Sequence, residues 1–129
     1  MKFVEHFLLA VVLFGAIDAV WLVAVAGKFY KKYLGYILAP KADLKPAILF
    51  YVLYIIGMVV FVINPALGQN SLSYAIGHGA LLGLVMYATY DLTNQSTLKK
   101  WPYQVTIVDM IWGTFITGLV STVSFLILS

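Results

Sequence analysis

The sequence predicts an all-α integral membrane protein, a four-helix transmembrane bundle built as one domain over residues 1–129. Three observations carry that expectation. Hydrophobic residues make up 63% of the chain and charged residues only 10%, against roughly 25% charged in soluble domains. Four apolar runs have about the 20 residues needed to cross a hydrocarbon core. All the basic residues are lysines, and most of them sit in two short loops beside those runs, where membrane-flanking charge belongs. The mean hydropathy of +0.97 agrees.

The first run covers about residues 3–27. It imitates a secretory signal, with Lys2, an apolar stretch and then Ala24-Val25-Ala26 in the place of a cleavage site. Glu5, Asp18 and Trp21, together with a full spanning length, argue for an uncleaved helix. A loop with Lys28, Lys31, Lys32, Lys41, Asp43 and Lys45 follows. The second run, about 46–64, starts at Pro46, which fits a first helical turn. Asn64-Pro65 should end it, because the residue before proline is pushed out of the helical region. The loop 65–71 has no charge. The third run, about 72–93, leads into a loop holding Lys99 and Lys100, and the fourth covers about 103–128 behind Pro102. Tyr30, Tyr33, Tyr36, Trp101 and Tyr103 lie beside the lysines and read as interfacial anchors. If all four runs span, both lysine-bearing loops share one side. They point to the cytoplasm, with both termini outside.

Composition narrows function. The pI near 9.1 does not mean a nucleic-acid partner, because the positive charge flanks the membrane instead of forming a soluble surface. The lack of cysteine removes disulfides and thiolate chemistry. Enzyme signatures are wanting as well: Tyr90-Asp91 and Asp109 resemble paired intramembrane aspartates, but Asp109 follows Thr106-Ile107-Val108 and not Gly-x-Gly.

The chemistry-bearing residues are the acids inside the apolar runs. Asp18, Asp91 and Asp109 have no lysine or arginine beside them there. A carboxylate at the bilayer centre costs about 2.5–3.5 kcal/mol on insertion scales, so such residues mark function. They can carry a proton, accept hydrogen bonds or face a cation. Asp18 lies nine residues before Gly27, about 14 Å from the lysine-bearing edge at 1.5 Å per residue. Asp109 lies six residues after Tyr103, about 9 Å in. Asp91 is expected at the mouth, followed by Thr93 and Asn94. The three form a ladder in a polar half-pocket.

Helical spacing builds the walls. Gly79, Gly83, Tyr87 and Asp91 recur every four residues and share one stripe, as do Asp109, Gly113, Thr117 and Ser121, with Thr106 one turn before. Gly79, Gly83 and Gly113 allow close helix approach. Asp18-Ala-Val-Trp21 recurs as Asp109-Met-Ile-Trp112. At that spacing each indole shares its aspartate's face, so Trp21 and Trp112 line the pocket. Tyr87, Tyr90 and Asn94 complete the ligand set. The donors are carboxylate, amide and hydroxyl oxygens, which suit protons or hard cations and not zinc or copper.

Asp18-Ala-Val-Trp21-Leu22, Tyr90-Asp91-Leu92-Thr93-Asn94, Thr97-Leu98, Trp101-Pro102 and Val108-Asp109-Met110-Ile111-Trp112-Gly113 together make a long composite signature. On it the chain resembles, over nearly its whole length, a family of small bacterial four-helix membrane proteins of unknown function, domain-of-unknown-function family 2177. The resemblance implies a multi-pass protein of the bacterial cytoplasmic membrane and carries no activity with it. From the residues, the expected function is binding or translocation of a proton, a small cation or a cationic amphiphile, with no cofactor. The expected partners are the lipid bilayer, that small ligand and further copies of the chain, with the glycine stripes as candidate interfaces. Two rival readings remain: a binder of an apolar or tetrapyrrole-like ligand between Trp21 and Trp112, and a non-transporting scaffold of a larger membrane complex.

Overall fold

A computed structural model describes residues 2–129 as four long helices. They are α1 (Lys2–Leu34), α2 (Leu44–Gln69), α3 (Leu72–Thr97) and α4 (Tyr103–Leu128), and each is long and apolar enough to cross a membrane. Valine, leucine, isoleucine and phenylalanine cover the outer faces, Val12, Val23, Phe61 and Ile111 among them. An outward apolar skin of this kind is the signature of a bundle solvated by lipid.

The connections fix an antiparallel order. Between α2 and α3 the chain reverses in two residues. Asn70 adopts the left-handed conformation (φ 49°) that few residues other than glycine and asparagine tolerate. Ser71 then caps α3, its hydroxyl accepting the Tyr74 N–H at 3.0 Å. At the other end Asp43 caps α2 by accepting from the Lys45 N–H at 3.1 Å. The Tyr36 hydroxyl donates to the Lys100 carbonyl and ties the two lysine-bearing loops together.

α4 is the central helix, with ten buried positions along its length. Its closest partner is α3, and glycines make that approach possible. A Cβ on Gly83 would collide with the Gly113 carbonyl and with Thr117, and one on Gly79 would stand 2.9 Å from the Ser121 Cβ. The space a Cβ would take on Gly113 is filled by the Tyr87 ring. The glycine stripes are therefore consumed inside the bundle, which corrects the expectation that they serve contacts between copies.

The helices also outrun the hydropathy limits. α1 continues through Lys28, Lys31 and Lys32 to Leu34, and α3 continues past Thr93 to Thr97. Amphipathic lysines extend a helix beyond the hydrocarbon with their charges in the polar layer. α2 runs straight through Asn64-Pro65, where a stop was expected. Just upstream, residues Val59–Ile63 form a π-helical turn, and the Asn64 N–H reaches back to the Val59 carbonyl. That wider turn moves the carbonyl that the proline ring would otherwise strike.

A second π-helical turn, Leu22–Ala26, has consequences for the site. Twelve residues separate Asp18 from Tyr30. In an uninterrupted α-helix they would lie about 120° apart around the axis. Absorbing one extra residue in the π turn brings them to within about 20° of each other. Ala10, Phe14, Asp18, Ala26 and Leu34 are accordingly buried along one continuous face, with Tyr30 half-buried between the last two.

Two apolar clusters hold the bundle. One joins Ala10 and Phe14 of α1 to Tyr54, Met58 and Val59 of α2 and Ile116 and Val120 of α4. The other joins Leu34, Trp101 and Val105 at the lysine-bearing end. The polar site lies between them.

Candidate functional site

The first layer is a pair of carboxyls. Asp91 on α3 lies six residues before Thr97, and Asp109 on α4 six residues after Tyr103. Because the two helices run antiparallel and share that end, both acids sit about 9 Å inside it. Their carboxyls are neighbours across the interface without closing a hydrogen bond. Asp91 is 0% exposed and Asp109 6%. Neither Asp91 oxygen makes a hydrogen bond among the described residues. Asp91 was expected at an open mouth, yet it stands level with Asp109 and deep in the bundle. The two share the wall of a cavity of about 310 Å³ completed by Phe50, Tyr51, Met86, Tyr87 and Tyr90. No cationic side chain lines it among the described residues.

Asp109 has one donor. The Tyr30 hydroxyl, delivered by the extension of α1, hydrogen-bonds its Oδ1. The lysines beside Tyr30 suggest an interfacial anchor; the π turn swings it inward instead. The signal that could have found it is the spacing Ala26, Tyr30, Leu34, which continues the buried face of α1 by fours.

The second layer is Asp18. It is 9% exposed and accepts from the Tyr51 hydroxyl at 3.3 Å. Tyr51 also lines the Asp91–Asp109 cavity, so a single phenol joins the two layers. The two Asp-x-x-Trp segments meet antiparallel, and their indoles stack with centroids 4.3 Å apart and planes 9° apart. Trp112 lies next to Asp18 without closing a hydrogen bond. From Asp18 to Trp21 and from Trp112 to Asp109 are three residues each. The two layers are therefore about 9 Å apart in depth. Since the rings rest on one another, no slot for a flat ligand lies between them.

The remaining candidates separate. Thr106 is buried, and its hydroxyl accepts the Trp101 indole N–H at 3.1 Å, so it braces the floor and does not line the cavity. Trp101 itself is 8% exposed, a core residue more than an anchor. Tyr90 stands edge-on to Trp101 at the cavity rim, with Asn94 beside it. Asn94 does not line the cavity. Tyr87 reaches the cavity over Gly113. Nothing in the spacing of Phe50 and Met86 marks them as facing an acid on another helix, whereas Tyr51, with Tyr54 and Gly57, falls on the stripe of the second run expected to face the internal seam. Among the described residues, no three histidine, aspartate or glutamate side chains gather as a metal site.

Chemically, the arrangement leaves negative charge to be compensated by something other than the protein's own cations. Two adjacent acids in an aromatic cavity can hold a proton between them, or exchange it for a cation whose apolar parts rest on the rings.

The model of a family described as predicted membrane protein (DUF2177) matches residues 3–126. No curated protein and no solved structure matches the chain.

Proposed function

The chain belongs to that family of predicted membrane proteins, and from its site we propose that it binds a small organic cation, a cationic amphiphile, at Asp91 and Asp109 in exchange for a proton. The observation that carries this reading is the Asp91 carboxyl, fully buried and without a hydrogen bond, beside Asp109 in a cavity with no cationic side chain. Structural packing alone would be served as well by asparagine or serine, without the cost of inserting an acid. The cavity walls favour an organic cation over a bare metal ion. Phe50, Tyr51, Tyr87 and Tyr90 offer ring faces, each worth about 0.5–2 kcal/mol to a desolvated cation. A volume near 310 Å³ is at the small end of ligand pockets.

In this reading Asp91 and Asp109 form the entry site and Asp18 the deeper one, with Tyr51 between them. Tyr30 holds Asp109 Oδ1 in place while Asp91 stays free for the ligand. Tyr90 and Asn94 form the rim, while Trp21 and Trp112, expected as pocket walls, stack on each other outside this cavity. The lysines of the two loops favour the cytoplasm for this end by the positive-inside rule, and in that orientation the cavity is within reach of cytoplasmic ligands and of the inner leaflet.

The test is equilibrium binding of tetraphenylphosphonium to the purified protein in detergent. The wild type binds, and the Asp91→Asn/Asp109→Asn variant, checked for retained helicity, does not. Equal binding by both proteins, or none by the wild type, overturns the reading.

A further inference from the structure

Two side chains of the carboxyl cavity face outward as well as inward. Phe50 of α2 is 46% exposed and Tyr90 of α3 is 61% exposed, yet both line the cavity that holds Asp91 and Asp109. The cavity is therefore open at its side, between α2 and α3, with the two buried acids at its inner end. Backbone spacing explains the opening. Over Leu44–Met58 the α2 backbone keeps close to α1, and it closes on α3 and α4 mainly from Val59 onward. Residues Ile48 to Leu53 are all exposed, through more than a full turn, so no side of α2 is fully packed there.

The lysine-bearing end of the bundle is shut by contrast. Leu34, Trp101 and Val105 pack together there, with Phe29, Tyr30 and Tyr33 against them. Among the described residues, none from the two lysine-bearing loops lines the cavity. Depth decides what the side opening meets. α2, α3 and α4 have 26 residues each, about 39 Å of helix, around a hydrocarbon core of about 30 Å. About 5 Å at each helix end therefore lies in the polar layer. Phe50 comes six residues after Leu44, and Tyr90 seven before Thr97, which puts both about 9–10 Å in. The opening faces acyl chains and not water.

We propose that the site takes its ligand from the bilayer: an alkylammonium amphiphile dissolved in the lysine-side leaflet passes its cationic head between α2 and α3 to Asp91 and Asp109, while its tail stays in the lipid beside Phe50 and Met86. The proposal rests on the cation-binding reading and narrows it to ligands dissolved in the membrane. The cavity fits a head and not a long chain. A volume of about 310 Å³ holds about ten atoms at water's share of ~30 Å³ each. Tyr51 and Tyr90, one on each side of the opening, offer ring faces to the head as it leaves the polar layer.

The experiment uses trimethylammonium ions with alkyl chains of eight, twelve and sixteen carbons. They compete with labelled tetraphenylphosphonium for the protein in phosphatidylethanolamine–phosphatidylglycerol nanodiscs, and affinity is expressed per mole fraction of ion in the lipid. Each methylene raises partition into lipid about fourfold. A tail that stays in lipid gains nothing further on binding, so the three ions bind alike within about twofold. The Asp91→Asn/Asp109→Asn variant binds none of them. An affinity that falls about tenfold or more from eight carbons to sixteen means a tail confined in the cavity, and overturns the proposal. The opening is read separately by a nitroxide on Phe50→Cys or on Tyr90→Cys, which the cysteine-free chain allows. Collisions with oxygen, which concentrates in lipid, exceed those with a water-soluble nickel chelate at both positions. The reverse order at both overturns the proposal. Wild type that binds none of the ions, with both labels in contact with lipid, overturns the cation reading and this proposal with it, while the side opening stands.

Discussion

Gly83→Ala should split the bundle's tightest seam. The new methyl group would meet the Gly113 carbonyl and lie 2.7 Å from the Thr117 Cβ. A backbone carbonyl of a neighbouring helix cannot rotate aside, so α4 must move as a body or the methyl group stays overlapped. Overpacking costs about 1–3 kcal/mol, and two fixed obstacles put this position at the upper end. Alanine recovers about 1 kcal/mol over glycine inside a helix. The net loss is about 2 kcal/mol, roughly 30-fold in the unfolding equilibrium. Gly77 on the same helix supplies the control, because a Cβ there meets nothing within 4 Å. Gly77→Ala keeps only the propensity gain and should stabilise by up to about 1 kcal/mol. Reversible unfolding in mixed micelles, titrated with dodecyl sulfate and followed by helicity, measures both. Gly83→Ala as stable as wild type, or stabilised alongside Gly77→Ala, refutes the close α3–α4 packing on which the site's geometry depends.

Three further substitutions probe single contacts. Tyr30→Phe removes the donor to Asp109 and costs about 1–2 kcal/mol, with faster hydrogen exchange over residues 27–34 once α1 is untied from the site. Thr106→Val keeps the shape but strands the buried Trp101 indole N–H, costing about 1–3 kcal/mol in the same micelle titration. Ser71→Ala removes the N-cap of α3 and should cost about 1 kcal/mol, with exchange accelerated in the first turn of that helix.

The parts of this molecule legible in its sequence are those governed by solvent. Hydropathy located all four spans, because lipid tolerates only backbone that is satisfied within each helix. Four-residue spacing placed Gly79, Gly83 and Gly113 at a helix contact and Asp109, Thr117 and Ser121 on a buried face. What the sequence hid depends on hydrogen-bond register and on neighbours. Nothing in Leu22–Ala26 or Val59–Ile63 announces a π turn, since the extra residue changes the ladder and not the composition. Tyr30 and Pro65 were misplaced for that one reason. Hydropathy also marks where hydrocarbon ends, not where a helix ends, so the segment of α1 that carries Tyr30 to Asp109 fell outside the expected span. Asp91 looked like a helix-end residue beside water because Thr93 and Asn94 follow it. The continuation of α3 to Thr97, facing α4 across glycine-lined backbone, is what buries it.

The central claim is exchange of a proton for a cation at Asp91 and Asp109, and proton release on binding tests it most directly. Tetraphenylphosphonium is titrated calorimetrically into the protein in two buffers of different ionisation enthalpy. Charge balance in a cavity without cationic side chains predicts about one proton released per cation bound, with affinity rising about tenfold for each unit of pH. Binding with no proton release and no dependence on pH would contradict the account.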